Sequence, residues 1–148
     1  MIGVSSCLVG VNCTYKGKNH KIEKIKEMVK NKEAIMICPE VLGGMSIPRE
    51  PCEIQGGKVL SISGVDYTNN YYDGAYKALK ILQKFNIDVV LLKAKSPSCG
   101  KNKIYDGTFQ HYLIEGNGIT VQVLQENGIT VYNDDTLDTF YEHIEKGT

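Results

Sequence analysis

The chain has 148 residues, of which 42% are hydrophobic and 23% charged, as in ordinary globular proteins. One hydrophobic core suits this length, so we expect a single domain over residues 1–148. The 17 Lys and Arg residues balance the 17 Asp and Glu residues, and a net charge of zero argues against a large nucleic acid or an anionic membrane as partner.

The cellular compartment is predicted from three features: membrane-spanning segments, a secretory leader and the number of cysteines. No apolar run is long enough to span a bilayer, and an apolar strand begins at the N-terminus where a secretory leader would place its charged region. We therefore expect a cytoplasmic protein. In that reducing compartment, the five cysteines are more useful as metal ligands or catalysts than as disulfide bridges.

Apolar periodicity predicts strands that alternate with helices along the chain. In chain order, the predicted elements are a strand over 2–6, a helix over 20–31, a strand over 34–38, a small hairpin over 53–62, a helix over 68–85 with Thr68 as its N-cap, a strand over 88–93, a helix over 119–126, a strand over 129–132 and a final helix that is capped by 134–136 and extends to about residue 146. Residues 8–19, 39–51 and 94–116 are predicted as loops, the last mostly irregular and long enough to suggest a function.

This alternation predicts a three-layer α/β fold of the Rossmann-like or flavodoxin-like class. Its parallel sheet should have about four strands, with the hairpin over 53–62 as a small insertion. Right-handed crossovers favour the strand order 2-1-3-4, in which the first strand lies between the second and the third.

Three cysteines lie at or just past the ends of the first three predicted strands: Cys7, Cys38 and Cys99. The carboxyl ends of parallel strands share one edge of the sheet, where ligands of open α/β folds bind, so we expect these thiols to converge. Three convergent thiolates can hold a metal or an iron–sulfur cluster and leave one coordination position for chemistry. A structural zinc site with a fourth ligand such as Cys13 is the alternative, although paired C-x-x-C knuckles are absent. Neither Cys13 nor Cys52 is counted among the predicted ligands.

Polar residues beside these thiols suggest chemistry at the same edge. Glu40 follows Cys38 by two residues and could act as a general acid or base, or be a solvated loop residue. Ser96 and Ser98 precede Cys99 and could bind substrate or hydrogen-bond cluster sulfur, or simply form a turn.

Two short basic loops are predicted at this edge as well, around Tyr15 and Lys16 and around Lys103. The simplest explanation for both loops is that their charged side chains are solvated and bind no ligand. As functional loops, they would supply charge-assisted hydrogen bonds and backbone donors to a substrate, and they suit a phosphate.

Five sequence blocks together resemble the signature of the thiouracil desulfidase family, in order and nearly end to end. They are VSSCLVG at 4–10, CPEVLGG at 38–44, PREP at 48–51, KSPSCG at 95–100 and IYDGTF at 104–109. The resemblance implies a 4Fe–4S cluster held by only three cysteines, here Cys7, Cys38 and Cys99. It also implies an acid/base role for Glu40 and a substrate-activating role for Ser96.

The implied activity is removal of sulfur from a thiolated pyrimidine, a thiouracil or thiouridine derivative. The substrate sulfur binds the open iron, and water replaces it at the ring carbon. Tyr15, Lys16, Ser98 and Lys103 are the predicted substrate-binding residues. A non-catalytic metal or iron–sulfur binding module and a sulfur-transfer partner protein are the alternatives. The sequence does not predict an oligomeric state.

Overall fold

A parallel sheet surrounded by helices forms the centre of the fold in the computed structural model, which describes residues 1–146. In chain order the elements are β1 (Ile2–Ser5), α1 (Glu23–Lys30), β2 (Ala34–Ile37), α2 (Pro39–Leu42), β3 (Cys52–Gln55), β4 (Lys58–Ser61), α3 (Thr68–Lys84), β5 (Val89–Leu92), β6 (Lys103–Tyr105), β7 (Leu113–Glu115), α4 (Ile119–Glu126), β8 (Thr130–Asn133) and α5 (Leu137–Lys146).

The central sheet has the order β2-β1-β5-β8, and all its pairs are parallel. In the central register, Val4 of β1 lies beside Met36 of β2 and Leu91 of β5. The predicted α/β class and strand order 2-1-3-4 are therefore confirmed. The carboxyl ends of β1, β2 and β5 lie side by side at one edge.

Two buried clusters, one on each face of the sheet, complete a three-layer arrangement. One cluster joins Leu82 of α3 and Leu124 of α4 to Val90 of β5. The other joins Ile25 of α1 and Phe140 of α5 to the sheet. Burial of these fully enclosed side chains supplies the main favourable free energy of folding.

Two antiparallel hairpins lie outside the central sheet, β3–β4 and β6–β7. The first is the predicted insertion. The second lies in residues 94–116, which we predicted as mostly irregular. The side chains of β7 are all exposed, so it lacks the apolar alternation that indicates a strand in a sequence.

The boundaries of two helices also differ from the prediction. The chain forms α2 where a loop over 39–51 was predicted, because Pro39 occupies the first helical turn, where its fixed φ is favourable. The first helix starts at Glu23 rather than at residue 20, because the amides of His20 and Ile22 donate to the carbonyls of Cys7 and Leu8.

Helices α2 and α3 approach so closely that two glycines are required at their contact. A Cβ on Gly74 would lie 1.9 Å from the carbonyl oxygen of Pro39, and a Cβ on Gly43 would lie 2.1 Å from that of Asn70. This contact fixes the position of α2, which follows Cys38 directly and carries Glu40. Within residues 1–146, no helix has the length and apolar character to cross a membrane.

Candidate functional site

A cavity of about 390 Å³ opens at the carboxyl edge of the central sheet. All five cysteines line it: Cys7, Cys13, Cys38, Cys52 and Cys99. Each is a free thiol, and all but the half-buried Cys38 are buried. The predicted convergence of Cys7, Cys38 and Cys99 on one place is thus present in the fold.

Each of the three predicted ligand cysteines is held by a turn just beyond a strand. Cys7 lies in a single 3-10 turn after β1, and Cys38 occupies the cap position before α2. The turn that carries Cys99 is closed by Ser96, whose hydroxyl accepts the amide of Cys99 at 2.7 Å and whose carbonyl accepts the amide of Gly100 at 2.9 Å. A Cβ on Gly100 would come within 2.9 Å of two carbonyl oxygens, so this turn requires glycine.

Ser98 supports Cys99 from inside the protein. Its hydroxyl lies 2.8 Å from that of Thr120 and 3.5 Å from the Cys99 sulfur, and both serine and threonine are buried. Ser98 thus contacts the cysteine and does not line the cavity.

Three thiols of the cavity, Cys13, Cys38 and Cys99, have raised pKa values. Cys38 lowers the pKa of Cys13, but Cys7 and burial outweigh it and raise that pKa to about 11. The contact with Cys13, with burial, raises the pKa of Cys38 far above its ordinary value, and burial raises the pKa of Cys99 to about 12. Binding of a metal or cluster needs thiolates, so it would release these protons.

The donor set is soft and consists of sulfur, which suits iron–sulfur chemistry. No group of three or more His, Cys, Asp or Glu side chains among residues 1–146 is arranged to hold one metal ion, so the zinc alternative lacks a formed site there. The thiolates of a cluster bind separate iron atoms and need not meet at one point. Three thiols on the wall of one cavity therefore fit a cluster.

Glu40 points one carboxylate oxygen at three donors. Its Oε2 accepts Arg49 Nε at 3.1 Å, Arg49 Nη2 at 2.9 Å and the Tyr71 hydroxyl at 3.0 Å. Burial and the nearby Glu40 carboxylate keep the pKa of Tyr71 well above its usual value, so its hydroxyl remains a donor. Arg49 also donates to the carbonyls of Cys13 and Ser46, which ties three loops together.

The other oxygen of Glu40 has no protein partner among the described residues. Oε1 has no hydrogen-bond partner within residues 1–146, and no buried side-chain oxygen in that range lacks one. Oε1 must therefore be accessible, and Glu40 lines the cavity. One oxygen is fixed and the other is available to a ligand or a water molecule.

A second carboxylate, Glu53 at the start of the β3–β4 hairpin, is built in the same way. It is only 6% exposed, and its Oε1 accepts the amides of Gly107 at 3.0 Å and Phe109 at 3.1 Å. The loop it holds carries Tyr105 and His111, whose rings meet edge to face at 5.6 Å and line the cavity.

The basic side chains of the cavity wall are partly neutralised. Lys93 forms an ion pair with Asp134 at 3.0 Å, and Asp134 also accepts the amide of Ala94. Burial and the charge of Lys93 lower the pKa of the nearby His20.

The remaining predicted site residues are divided between the cavity and its surroundings. Tyr15 and Ser96 line the cavity. Lys16 lies over the Tyr15 ring at 5.6 Å but outside the cavity, and Lys103 is exposed on β6 beside a second cavity. The substrate roles of Tyr15, Lys16, Ser98 and Lys103 stay predictions.

Several wall residues were not predicted from the sequence. Arg49 is part of the PREP block, but the sequence analysis assigned it no role. In the sequence, Tyr71 could not be distinguished from the apolar residues of α3 that pack into the core. Glu53 and His111 had no motif of their own. The signal that could have found Arg49 is a single cation between two prolines near a candidate catalytic acid.

Comparisons with known proteins agree with one another. Residues 2–136 match the model of a family described as 2-thiouracil desulfurase. The uncharacterized protein YbbK of Bacillus subtilis (strain 168) is 44% identical, over 93% of this chain and 98% of that protein. The solved structure of a [4Fe-4S]-dependent thiouracil desulfidase, TudS, superimposes with a TM-score of 0.92 at 36% identity, covering 97% of each chain.

Proposed function

The chain belongs to the 2-thiouracil desulfurase family, and from that premise we propose that it removes sulfur from a thiolated pyrimidine with a [4Fe-4S] cluster. The predicted family membership is confirmed by a match over most of the chain. The observation that best supports the proposed activity is the placement of three strand-end thiols and an open carboxylate oxygen on one cavity.

Cys7, Cys38 and Cys99 would hold the cluster through their thiolates. When bound, the cluster supplies an iron atom without a protein ligand, a Lewis acid with affinity for the sulfur of the substrate. The remaining thiols, Cys13 and Cys52, also line the cavity, and neither is assigned as a ligand. Five free thiols fit the reducing cytoplasm in which we place the protein.

Glu40 is the proposed general acid/base, acting through Oε1. That oxygen accepts a proton from the water that attacks the ring carbon, and then returns it to the departing sulfur. The reaction exchanges a C=S group and water for a C=O group and hydrogen sulfide, so it needs no external electrons. Arg49 and Tyr71 orient the carboxylate from the opposite side by holding Oε2.

Ser96 is the proposed substrate-activating residue, on the cavity wall beside Cys99. Its hydroxyl oxygen accepts the Cys99 amide, and its hydroxyl also contacts the Cys99 thiol. Once that sulfur is bound in a cluster, the hydroxyl hydrogen can be donated to a substrate oxygen or nitrogen. The substrate is a small thiolated pyrimidine. A non-catalytic cluster module remains the alternative, and turnover decides between the two.

The decisive experiment uses anaerobically purified protein, with measurement of iron, acid-labile sulfide, the visible spectrum and conversion of 2-thiouracil and 4-thiouracil to uracil. We expect a brown protein that releases one sulfide per uracil formed. Cys7→Ser, Cys38→Ser and Cys99→Ser should each abolish the cluster. Cys52→Ser, which alters another thiol of the same cavity, should retain it.

A full cluster in the Cys99→Ser protein would refute the ligand assignment. A full cluster in wild-type protein without desulfuration of either thiouracil would favour the non-catalytic module.

A further inference from the structure

We propose that Glu53 recognises the ring of the substrate, by accepting a hydrogen bond from the imide N–H of a uracil-type pyrimidine. This is the N3–H, which lies between two carbonyl-type carbons. The inference deepens the proposed function and rests on it, since it names the group that selects uracil-type over cytosine-type rings.

The first support is the unusual burial of this carboxylate. Glu53 is 6% exposed, while charged residues are rarely buried without partners. Its partners within residues 1–146 are the amides of Gly107 and Phe109, and both donate to Oε1. These two bonds orient the carboxylate before any ligand arrives.

The second support is the position of the other oxygen. Oε2 has no hydrogen-bond partner in the described part of the chain, yet no buried side-chain oxygen there is unpaired. Oε2 therefore has contact with open space, and Glu53 lines the cavity. An ionised carboxylate only accepts hydrogen bonds, so the group that completes this site must be a donor.

Among residues 1–146, no side chain donates a hydrogen bond to this oxygen. Arg49 is engaged by Glu40 and by two carbonyls, and Lys93 is paired with Asp134. A neutral pyrimidine bound in the cavity carries N–H donors on its ring edge. The imide N–H is available in both bases and nucleosides, whereas N1 carries the sugar in a nucleoside.

The third support is the aromatic wall beside Glu53. Tyr105 and His111 line the same cavity, and the loop that joins them is held by Glu53 on its Gly107 and Phe109 amides. Gly107 is required there, because its φ is +94° and a Cβ would lie 2.8 Å from the carbonyl oxygen of Ile54. A flat heteroaromatic ring bound at Glu53 would thus meet an aromatic surface.

The first experiment needs no variant and no turnover. Binding of uracil, 1-methyluracil and 3-methyluracil to the anaerobically purified full-length protein is measured by calorimetry or NMR titration. Loss of a hydrogen bond to a charged group weakens binding by about 10- to 100-fold, so 3-methyluracil should bind that much more weakly than 1-methyluracil. Equal binding of the two methylated rings, or no binding of uracil, would overturn the inference.

The second experiment inverts the hydrogen-bonding character of the position. In Glu53→Gln, the amide carbonyl can still accept the Gly107 and Phe109 amides, while the NH₂ group donates into the cavity. The N3 of cytosine is an acceptor. The ratio of cytosine affinity to uracil affinity should therefore be at least about 10-fold higher in this variant than in the wild type. Thermal melting checks that the variant folds; if it does not, the methylated rings still decide.

Glu50→Gln is the matched control. Glu50 is a third carboxylate on the wall of this cavity, but it is exposed and accepts the Ser63 hydroxyl instead of loop amides. The preference of the Glu50→Gln protein for uracil over cytosine should equal that of the wild type. An unchanged preference in Glu53→Gln, or an equal change in Glu50→Gln, would contradict the role of Glu53.

Failure of this inference is distinguishable from failure of the proposed function. A protein that selects against 3-methyluracil but never desulfurates thiouracil would retain the Glu53 site and refute the desulfidase. A protein that desulfurates 2-thiouracil but binds both methylated rings equally would retain the desulfidase and refute the Glu53 site.

Discussion

Glu40 shows how a carboxylate can be fixed and still be available. Three donors share Oε2, two from the planar guanidinium of Arg49 and one from Tyr71, while Oε1 has no hydrogen-bond partner within residues 1–146. Such preorganisation lets a proton acceptor act without reorienting during the reaction. Because Arg49 and Glu40 are largely shielded from solvent, removal of either partner would leave an uncompensated charge.

Glu40→Gln should keep the cluster and bind substrate but lose rate. The amide cannot take a proton at Oε1, and general acid/base groups contribute about 10²- to 10⁴-fold. Single-turnover desulfuration of 2-thiouracil, followed through sulfide release, measures the loss. Glu50→Gln, at an exposed carboxylate of the same cavity, should turn over at the wild-type rate.

An unchanged rate in Glu40→Gln would remove Glu40 from the mechanism. Loss of the brown cluster from this variant would instead make Glu40 a structural or ligating group.

At the residue scale, the sequence predicted groups whose position depends only on strand ends. Cys7, Cys38 and Cys99 follow three strands of one parallel sheet, so the fold class alone brings them together. Tyr71 could not be predicted, because its contact with Glu40 depends on the rotation of α3 and its distance from α2. The role of Glu53 likewise depends on a loop 54 residues later in the chain.

Among the elements, the contact between α2 and α3 connects packing to the site. We expect Gly74→Ala to destabilise the protein by about 1–3 kcal/mol, although alanine is the better helix former. A Cβ at Gly74 would overlap the Pro39 carbonyl and push α2 away, and with it Glu40. Urea denaturation measures the stability, and desulfuration should slow in parallel.

Lys80→Ala, on the exposed side of the same helix, is the control for Gly74→Ala and should change stability by no more than about 0.5 kcal/mol. A fully stable and active Gly74→Ala protein would show that α2 can move without consequence.

The start of α3 has a cap that differs from the predicted one. Thr68 was predicted as the N-cap, but it is the first helical residue, and Asp66 accepts both its amide at 2.9 Å and its hydroxyl at 2.5 Å. These bonds lower the pKa of Asp66. A lowered pKa means that the stabilisation is complete above the unfolded-state value, about 3.9, and disappears as pH falls through the folded-state value.

Asp66→Ala should therefore be less stable than the wild type at pH 7, and the difference should decrease as the pH falls below about 3.9. Urea denaturation at a series of pH values measures this. Asp73→Ala, which removes an exposed ion pair with Lys77 from the same helix, should have little effect at any pH. A difference for Asp66→Ala that persists undiminished at pH 2 would contradict the capping role.

The elements of the central sheet were predictable because their apolar runs are short, dense and bounded by turns. The elements that were missed have no such signal. Helix α2 is four residues long, and β7 has no buried side chain. Their formation depends on the neighbours they pack against, which a local pattern does not record.

For the whole molecule, the core extends well beyond the site. The two buried clusters consist mainly of apolar side chains of the sheet and its helices, although Cys99 belongs to one cluster and Cys7 to the other. The chain should therefore fold without iron, unlike a zinc finger, whose folding energy comes from the metal.

Protein treated with a chelator should keep an α/β circular dichroism spectrum and melt cooperatively. Leu91→Ala, which empties a fully buried position of the central strand β5, should cost about 2–5 kcal/mol whether or not iron is bound. A random-coil spectrum after chelation would show that the cluster is needed for folding.

The strand order also bears on how the protein is made. As the chain leaves the ribosome, β1 and β2 can pair early, because they are near neighbours in sequence. The strand that completes the centre of the sheet, β5, is synthesised after residue 88, and Cys99 follows it. A nascent chain stopped before that point holds only two of the three proposed ligands. A cluster held by all three proposed ligands can therefore be inserted only after Cys99 has been translated. A polypeptide truncated before Cys99 could not bind the cluster in this way.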